Sequence, residues 1–337
     1  MGSTSSELIW ANFFHLGYNT YSDRDDEDWF ALTGNVDLGY RPYLRFDPKM
    51  WDDLTRRIAQ AGGNAIVLSL GDGIRYDSHP EIAVDGAWTP AELRAEIARL
   101  RGIGIELIPK LNFSTGHDLW LGPYHRQIST PVYYQVCHDL IAELGQIFDQ
   151  TPWFHLGYDE ETQPHQSTYE YVTIRQHDLW WRDFQFFVNE VESTGKRPWI
   201  WSDYIWDHLD DFLERMPRSV VQNNWYYWKN FDLTVDRINA ERRGLTLCEP
   251  QPGLTRTRTT PFRAYLELQR GGFDQVPTGS CDVADDNFPD TVRWCKDNLD
   301  HAHLLGFMQT VWRPVLERYR DRHELGLEKF AEGRAAW

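Results

Sequence analysis

Eight short apolar runs, rich in β-branched or aromatic residues, recur along the 337 residues at 8–14, 65–70, 106–111, 153–156, 198–201, 220–225, 273–277 and 305–312. Most are separated by a helical pattern. Runs this short and continuously apolar fit strands buried on both faces of a parallel sheet. The helices between them carry start signals, a capping side chain before proline at Asp47-Pro48, Thr89-Pro90, Thr130-Pro131 and Thr260-Pro261. Glu92 completes a capping box on Thr89. Stop signals follow as glycines at Gly62-Gly63, Gly102, Gly195 and Gly271-Gly272. An eightfold strand–helix alternation over this length predicts a single (β/α)8 TIM barrel spanning 1–337. Two connections, about 17–46 and 226–260, exceed what a barrel requires, and both follow strands. Long loops there form walls on the catalytic rim.

The sharpest local signal lies inside the fourth run. Trp153-Phe-His-Leu-Gly-Tyr-Asp-Glu-Glu161 reads as a buried strand ending in Gly157 and then a cluster of acids. The barrel would deliver Asp159 and Glu160 to its C-terminal rim, where such folds do their chemistry. The same logic collects Asn12, His15 and Tyr18 after the first strand, Asp72 after the second, and Asn112, Ser114 and His117 after the third. Trp201, Asp203 and Tyr204 follow the fifth strand, and Asn223, Asn224, Trp225 and Tyr226 the sixth. Thr278 and Ser280 follow the seventh, Trp312 and Arg313 the eighth.

Acids, amides and indoles converge, with no glycine-rich phosphate cradle. Aromatic residues make up 15% of the chain, with 16 Trp, and indole faces suit sugar rings as well as cores. The net charge of −17 disfavours nucleic acid and anionic membrane surfaces as partners. No apolar run is long enough to span a bilayer. A small saccharide or glycoside is therefore the expected partner; nothing in the sequence speaks to oligomeric state. Cys137, Cys248, Cys281 and Cys295 form no CxxC pair, and the first residues carry neither a basic nor an apolar export segment. Reduced thiols and a cytoplasmic location are expected, a removed export signal being the other reading.

Glycoside cleavage needs a carboxylic acid to protonate the leaving oxygen and a second group to meet the oxocarbenium-like carbon. Neighbouring strand residues point in different directions, so the two acids divide the work. Glu160 is expected to be the general acid, its pKa raised by aromatic walls and a neighbouring carboxylate, and Asp159 to orient substrate. Asp72 and His117 would form a relay to Glu160. The structural alternatives are an acid cluster at a loop or helix start, a loop histidine at His117 and a turn acid at Asp72. His155, mid-strand, and Trp180, Trp181, Phe184 and Phe187, on the fourth helix, read as core.

Leu70-Gly-Asp-Gly73, His79-Pro-Glu-Ile82, Gly86-Ala-Trp-Thr-Pro-Ala-Glu-Leu93, Gly104-Ile-Glu-Leu-Ile-Pro-Lys-Leu-Asn-Phe-Ser-Thr-Gly-His117 and His155-Leu-Gly-Tyr-Asp-Glu160 together resemble glycoside hydrolase family 20, the β-N-acetylhexosaminidases. The resemblance implies a barrel that acts without metal or cofactor and retains configuration by substrate assistance, the 2-acetamido oxygen attacking the anomeric carbon. It implies Glu160 as acid/base, Asp159 orienting the acetamido group, and His117 and Asp72 supporting Glu160. Trp201, Trp225 and Trp312 would line the sugar pocket. Tyr204 or Tyr226 would supply a hydroxyl to the acetamide; independently of the resemblance, the strand-end residues Asp203, Asn223, Asn112 and His15 complete the expected binding set. The chain departs from the family pattern at Tyr158, Lys110, Asn112 and Arg313. Two alternatives stay open: a glycosidase for sugars lacking the acetamido group, with Asp203 or Asp72 as base or nucleophile, and a sugar-binding barrel without catalysis.

Overall fold

The computed structural model describes residues 7–24, 36–247, 250–251 and 253–337. Its eight strands are β1 (Ile9–His15), β2 (Ala65–Ser69), β3 (Glu106–Lys110), β4 (Trp153–His155), β5 (Arg197–Trp201), β6 (Val221–Asn223), β7 (Thr278–Ser280) and β8 (Gly306–Thr310). They pair in parallel in the order β6-β5-β4-β3-β2-β1-β8-β7. The two ends of that order meet through bridges Gln222–Gln275 and Trp225–Thr278. Val276 N–H donates to the Gln222 carbonyl (2.9 Å) and Thr278 N–H to that of Asn224 (3.0 Å). These bonds close the sheet, and the (β/α)8 barrel expected from the alternation is the observed architecture.

The helices are α1 (Pro48–Gln60), α2 (Pro90–Gly102), α3 (Pro131–Ile147), α4 (His177–Ser193), α5 (Tyr204–Asp207), α6 (Leu209–Arg215), α7 (Leu233–Arg242), α8 (Ala264–Arg270), α9 (Asn287–Asn298) and α10 (Arg320–Ala336). Three expected caps are made. Asp47 accepts from the Lys49 and Met50 amides, Thr130 accepts from the Tyr133 amide, and Thr89 and Glu92 form the capping box. Each such cap contributes about 1 kcal/mol to its helix. At Thr260-Pro261 a turn intervenes, so α8 begins at Ala264 although the Thr260 hydroxyl still accepts from the Arg263 amide (3.1 Å). The seventh strand also sits downstream of its expected 273–277. Pro277 has no N–H to give the ladder, and regular pairing resumes only at Thr278.

Side chains alternate across each strand. One parity fills the barrel interior with Ala11, Phe13, Val67, Ile108, Trp199, Trp201, Val221, Val276 and Met308. The other meets the helices, where Trp180, Trp181, Phe184 and Phe187 of α4 are buried as expected. Among the described cysteines, Cys137, Cys281 and Cys295 are buried free thiols; Cys248 lies outside the described residues. No helix among the described residues is long and apolar enough to cross a membrane.

Candidate active site

The interior parity, continued past the C-terminal strand ends, carries polar side chains into a cavity of about 370 Å³. His15 rises from β1, Lys110 from the end of β3 and Asn112 from just beyond it, Trp201 from β5, and Trp225 and Tyr227 from the segment after β6. Asp159 and Glu160 enter from the turn after β4, and His117, Trp312, Arg313, Tyr18 and Tyr21 complete the wall.

That turn has a demanding backbone. Gly157, Tyr158 and Glu160 have φ of 69°, 73° and 58°, in the left-handed region that side chains disfavour. At Gly157 an added Cβ would stand 2.1 Å from Asn112 Oδ1. The close approach lets one amide organise the turn. Asn112 Oδ1 accepts from the Tyr158 and Ser114 amides (both 3.1 Å), while its Nδ2 donates to Asp159 Oδ1 (2.8 Å). Ser114 Oγ donates to the Asp159 carbonyl. Just beyond, the fully buried Arg175 pairs with Glu161, donates to the Phe113 carbonyl and lies 3.5 Å from Asp183. Its guanidinium also lies over the Tyr158 ring at 4.4 Å. Nothing adjacent in sequence announced Arg175.

His117 sits between the two acids. Its Nδ1 faces the Thr20 carbonyl at 3.2 Å, so Nδ1 carries a proton and donates it there. Nε2 is left to face Glu160 Oε2 (3.2 Å) and Asp159 Oδ2 (3.5 Å). Burial alone would raise the Glu160 pKa, but the hydrogen bond and charge of His117, together with the charge of His165 3.3 Å from Oε1, outweigh it, and the net shift is downward. This corrects the expectation that Glu160 is raised. Burial lowers the His117 pKa, but Asp159 and Glu160 together prevail and raise it. One proton is thus shared between Nε2 and the carboxyl. Asp159 also acts by its charge on Lys110, raising the Lys110 pKa against the effect of burial.

Several expected residues lie elsewhere. Asp72 does not reach His117, because its Oδ2 accepts from Asn19 Nδ2 (2.6 Å) behind the cavity wall. Burial there lifts its pKa to about 7. The three-residue relay is not formed. Asp203 lines a second cavity of about 480 Å³ on the far side of Glu160, and its Oδ2 accepts from the Glu160 amide (2.7 Å). Burial, then the charges of Asp159 and Glu160, raise its pKa. Tyr204 stacks on Trp180 at 3.7 Å in that second cavity. Tyr226 turns outward, stacking on Phe262 and donating to the Asn230 carbonyl (2.7 Å). Asn223 is buried below the cavity, with Nδ2 donating to the Val276 carbonyl and Thr278 Oγ1. His155 is core, its Nδ1 accepting from the Gly157 amide (3.0 Å).

Tyr227 is the tyrosine the sequence reading missed after β6. Asn223, Trp225 and Tyr227 share one strand parity, and that parity singles out Tyr227 over Tyr226. Its hydroxyl is buried beside Thr310 and Trp312 without a well-formed hydrogen bond to either, and Trp201 Nε1, Trp312 Nε1 and His15 Nδ1 are likewise unpartnered around the same cavity. Unpartnered polar atoms converging on an aromatic cavity are the arrangement of a ligand site.

No protein-family model matches the sequence, and no curated protein matches it significantly. Solved structures do. The chain is similar to a family 20 exo-β-N-acetylglucosaminidase from Vibrio harveyi, with TM-score 0.57 and 13% identity over 97% of this chain and 54% of that one. A chitobiase from Flavobacterium johnsoniae gives TM-score 0.56 and 15% identity over 85% and 46% of the two chains. Dispersin B gives TM-score 0.55 and 15% identity over 86% and 94%. The chain spans about half the length of the first two. At this identity the likeness is one of fold.

Proposed function

We propose that the protein is a glycoside hydrolase that removes a terminal β-linked N-acetylhexosamine with retention, by substrate assistance. The observation that carries the reading is Glu160, sharing a proton with His117 beside Asp159, in one indole-walled cavity. The structural neighbours support it, since one of them is a complex with N-acetylglucosamine. Asp159 and Glu160 offer oxygens within 4.8 Å of each other, so one sugar can meet both acids.

In this reading the sugar ring stacks among Trp201, Trp225 and Trp312. Asp159, held by Asn112, accepts from the acetamido N–H, and the Tyr227 hydroxyl donates to the acetamido oxygen. That oxygen attacks the anomeric carbon while the glycosidic C–O bond breaks and the leaving oxygen takes its proton from Glu160. His117, which shared that proton, is left neutral and keeps only its Nδ1 proton on the Thr20 carbonyl. Water, deprotonated by Glu160, next attacks the anomeric carbon of the oxazolinium and restores the acetamide.

The test is a panel of aryl β-glycosides of GlcNAc, GalNAc, glucose and galactose, assayed with wild type and Glu160→Gln. Cleavage confined to the acetamido sugars, inhibited by a thiazoline analogue and reduced at least about a hundredfold in Glu160→Gln, is expected. Equal cleavage of glucosides would remove the acetamide's role, and sugar binding without any turnover would favour a non-catalytic barrel.

A further inference from the structure

The cavity floor holds a charge that the proposed chemistry leaves unused. Lys110, the last residue of β3, follows the interior parity of Ile108 and ends in the cavity. It is only 2% exposed. Its ammonium lies 5.4 Å from the centre of the Phe13 ring, and no hydrogen bond or ion pair from it is found among the described residues. Asp159, the nearest acid by its influence on Lys110, has its oxygens turned to Asn112 and His117.

The other ionisable groups facing Lys110 give it no relief. His15 from β1 and His155 from β4 both have pKa values pushed well down by burial and then by Lys110 itself, so both stay neutral. His117 on the loop after β3 carries positive charge toward the acids. At the mouth, Arg313 adds a second cation to the wall. Burying an ammonium without an acceptor costs several kcal/mol, and burial here lowers the Lys110 pKa to about 8. When a sugar fills the cavity and Asp159 engages it, the ammonium loses what solvation remains. A neutral hydroxyl would give it an acceptor but no countercharge.

We propose that Lys110 is a specificity-determining residue that selects a sugar bearing an anionic oxygen substituent, a sulfate ester or a carboxylate, in the cavity occupied by the cleaved residue. The proposal rests on the hydrolase reading above and names its substrate class.

Kinetics at fixed ionic strength would test it with 4-nitrophenyl β-GlcNAc, its 6-O-sulfo derivative and 4-nitrophenyl β-glucuronide, using wild type and Lys110→Met. Wild type is expected to prefer an anionic sugar by about tenfold in kcat/KM, chiefly through KM, the margin of a charge-assisted over a neutral hydrogen bond. The preference should vanish in Lys110→Met and, in wild type alone, decline as pH rises through about 8. A preference for the glucuronide would identify the carboxylate and end the acetamide mechanism while keeping the Lys110 assignment. A preference for unsubstituted GlcNAc, or an anionic preference untouched by Lys110→Met, would overturn the proposal. If nothing is hydrolysed the hydrolase reading fails, and calorimetric titration with N-acetylglucosamine, its 6-sulfate and glucuronic acid still decides. Tighter binding of an anionic sugar by wild type but not by Lys110→Met supports the assignment, and equal binding of all three overturns it.

Discussion

Glu160 and His117 show how a single shared proton sets both activity and stability. His117 is raised from 6.5, so its contribution to stability is complete below 6.5 and is lost as pH rises through the elevated value. Glu160 is lowered from 4.5, so its contribution is complete above 4.5 and is lost as pH falls through the depressed value. The melting temperature of wild type minus that of Glu160→Gln should therefore peak between those limits and shrink on both sides. A difference independent of pH would show that the two groups are not paired. The same logic places the alkaline limb of kcat/KM above 6.5, where the pair loses its proton. Tyr227 offers a second residue-scale test. Its hydroxyl makes only loose contacts with Thr310 and Trp312, so Tyr227→Phe should change stability by no more than about 0.5 kcal/mol. Its kcat on an acetamido sugar should fall by about 10²–10³, the usual effect of removing one oriented donor. Tyr226→Phe, which loses only the bond to Asn230, should leave kcat alone. The reverse ranking would reassign the pocket tyrosine.

At the scale of elements, the turn after β4 is a strained segment clamped from both sides. Two non-glycine residues in left-handed conformation, Tyr158 and Glu160, persist because their surroundings over-determine them. Asn112 grips the turn from β3, and Arg175 grips it through Glu161 from the segment leading into α4. Arg175→Met leaves the buried Glu161 without its cation and Asp183 with only the more exposed Arg182, an effect of about 3–5 kcal/mol. Urea unfolding should report that loss, and activity should fall because the turn carries Glu160. A loss below about 1 kcal/mol would mean that the clamp is not what holds the turn.

Across the whole molecule, the barrel is not equally tight around its circumference. β1 and β2 pair over five residues, from Ala11–Ala65 to His15–Ser69. The β6–β7 seam closes through two isolated bridges, interrupted where Pro277 has no N–H to donate. Local opening follows the weakest ladder. Hydrogen exchange read by mass spectrometry should therefore find faster exchange in residues 274–278 than in residues 65–69. Equal protection would mean that the seam opens only with the whole barrel.

The strand runs, the helix caps and the order of the chemistry-bearing residues were legible in the sequence because each depends on neighbours a few positions away. Thr89 caps a helix whatever lies beyond it, and Asp159 and Glu160 follow a strand whatever the strand faces. Tyr227 was also legible in principle, since strand parity is a local property. Contacts across the barrel were not. Whether Asp72 meets His117 or Asn19 depends on where the loop after β1 lies, and whether Glu160 rises or falls in pKa depends on a histidine from another strand's loop. The unmet charge of Lys110 is likewise a matter of what fails to come near it, and only the closed barrel decides that.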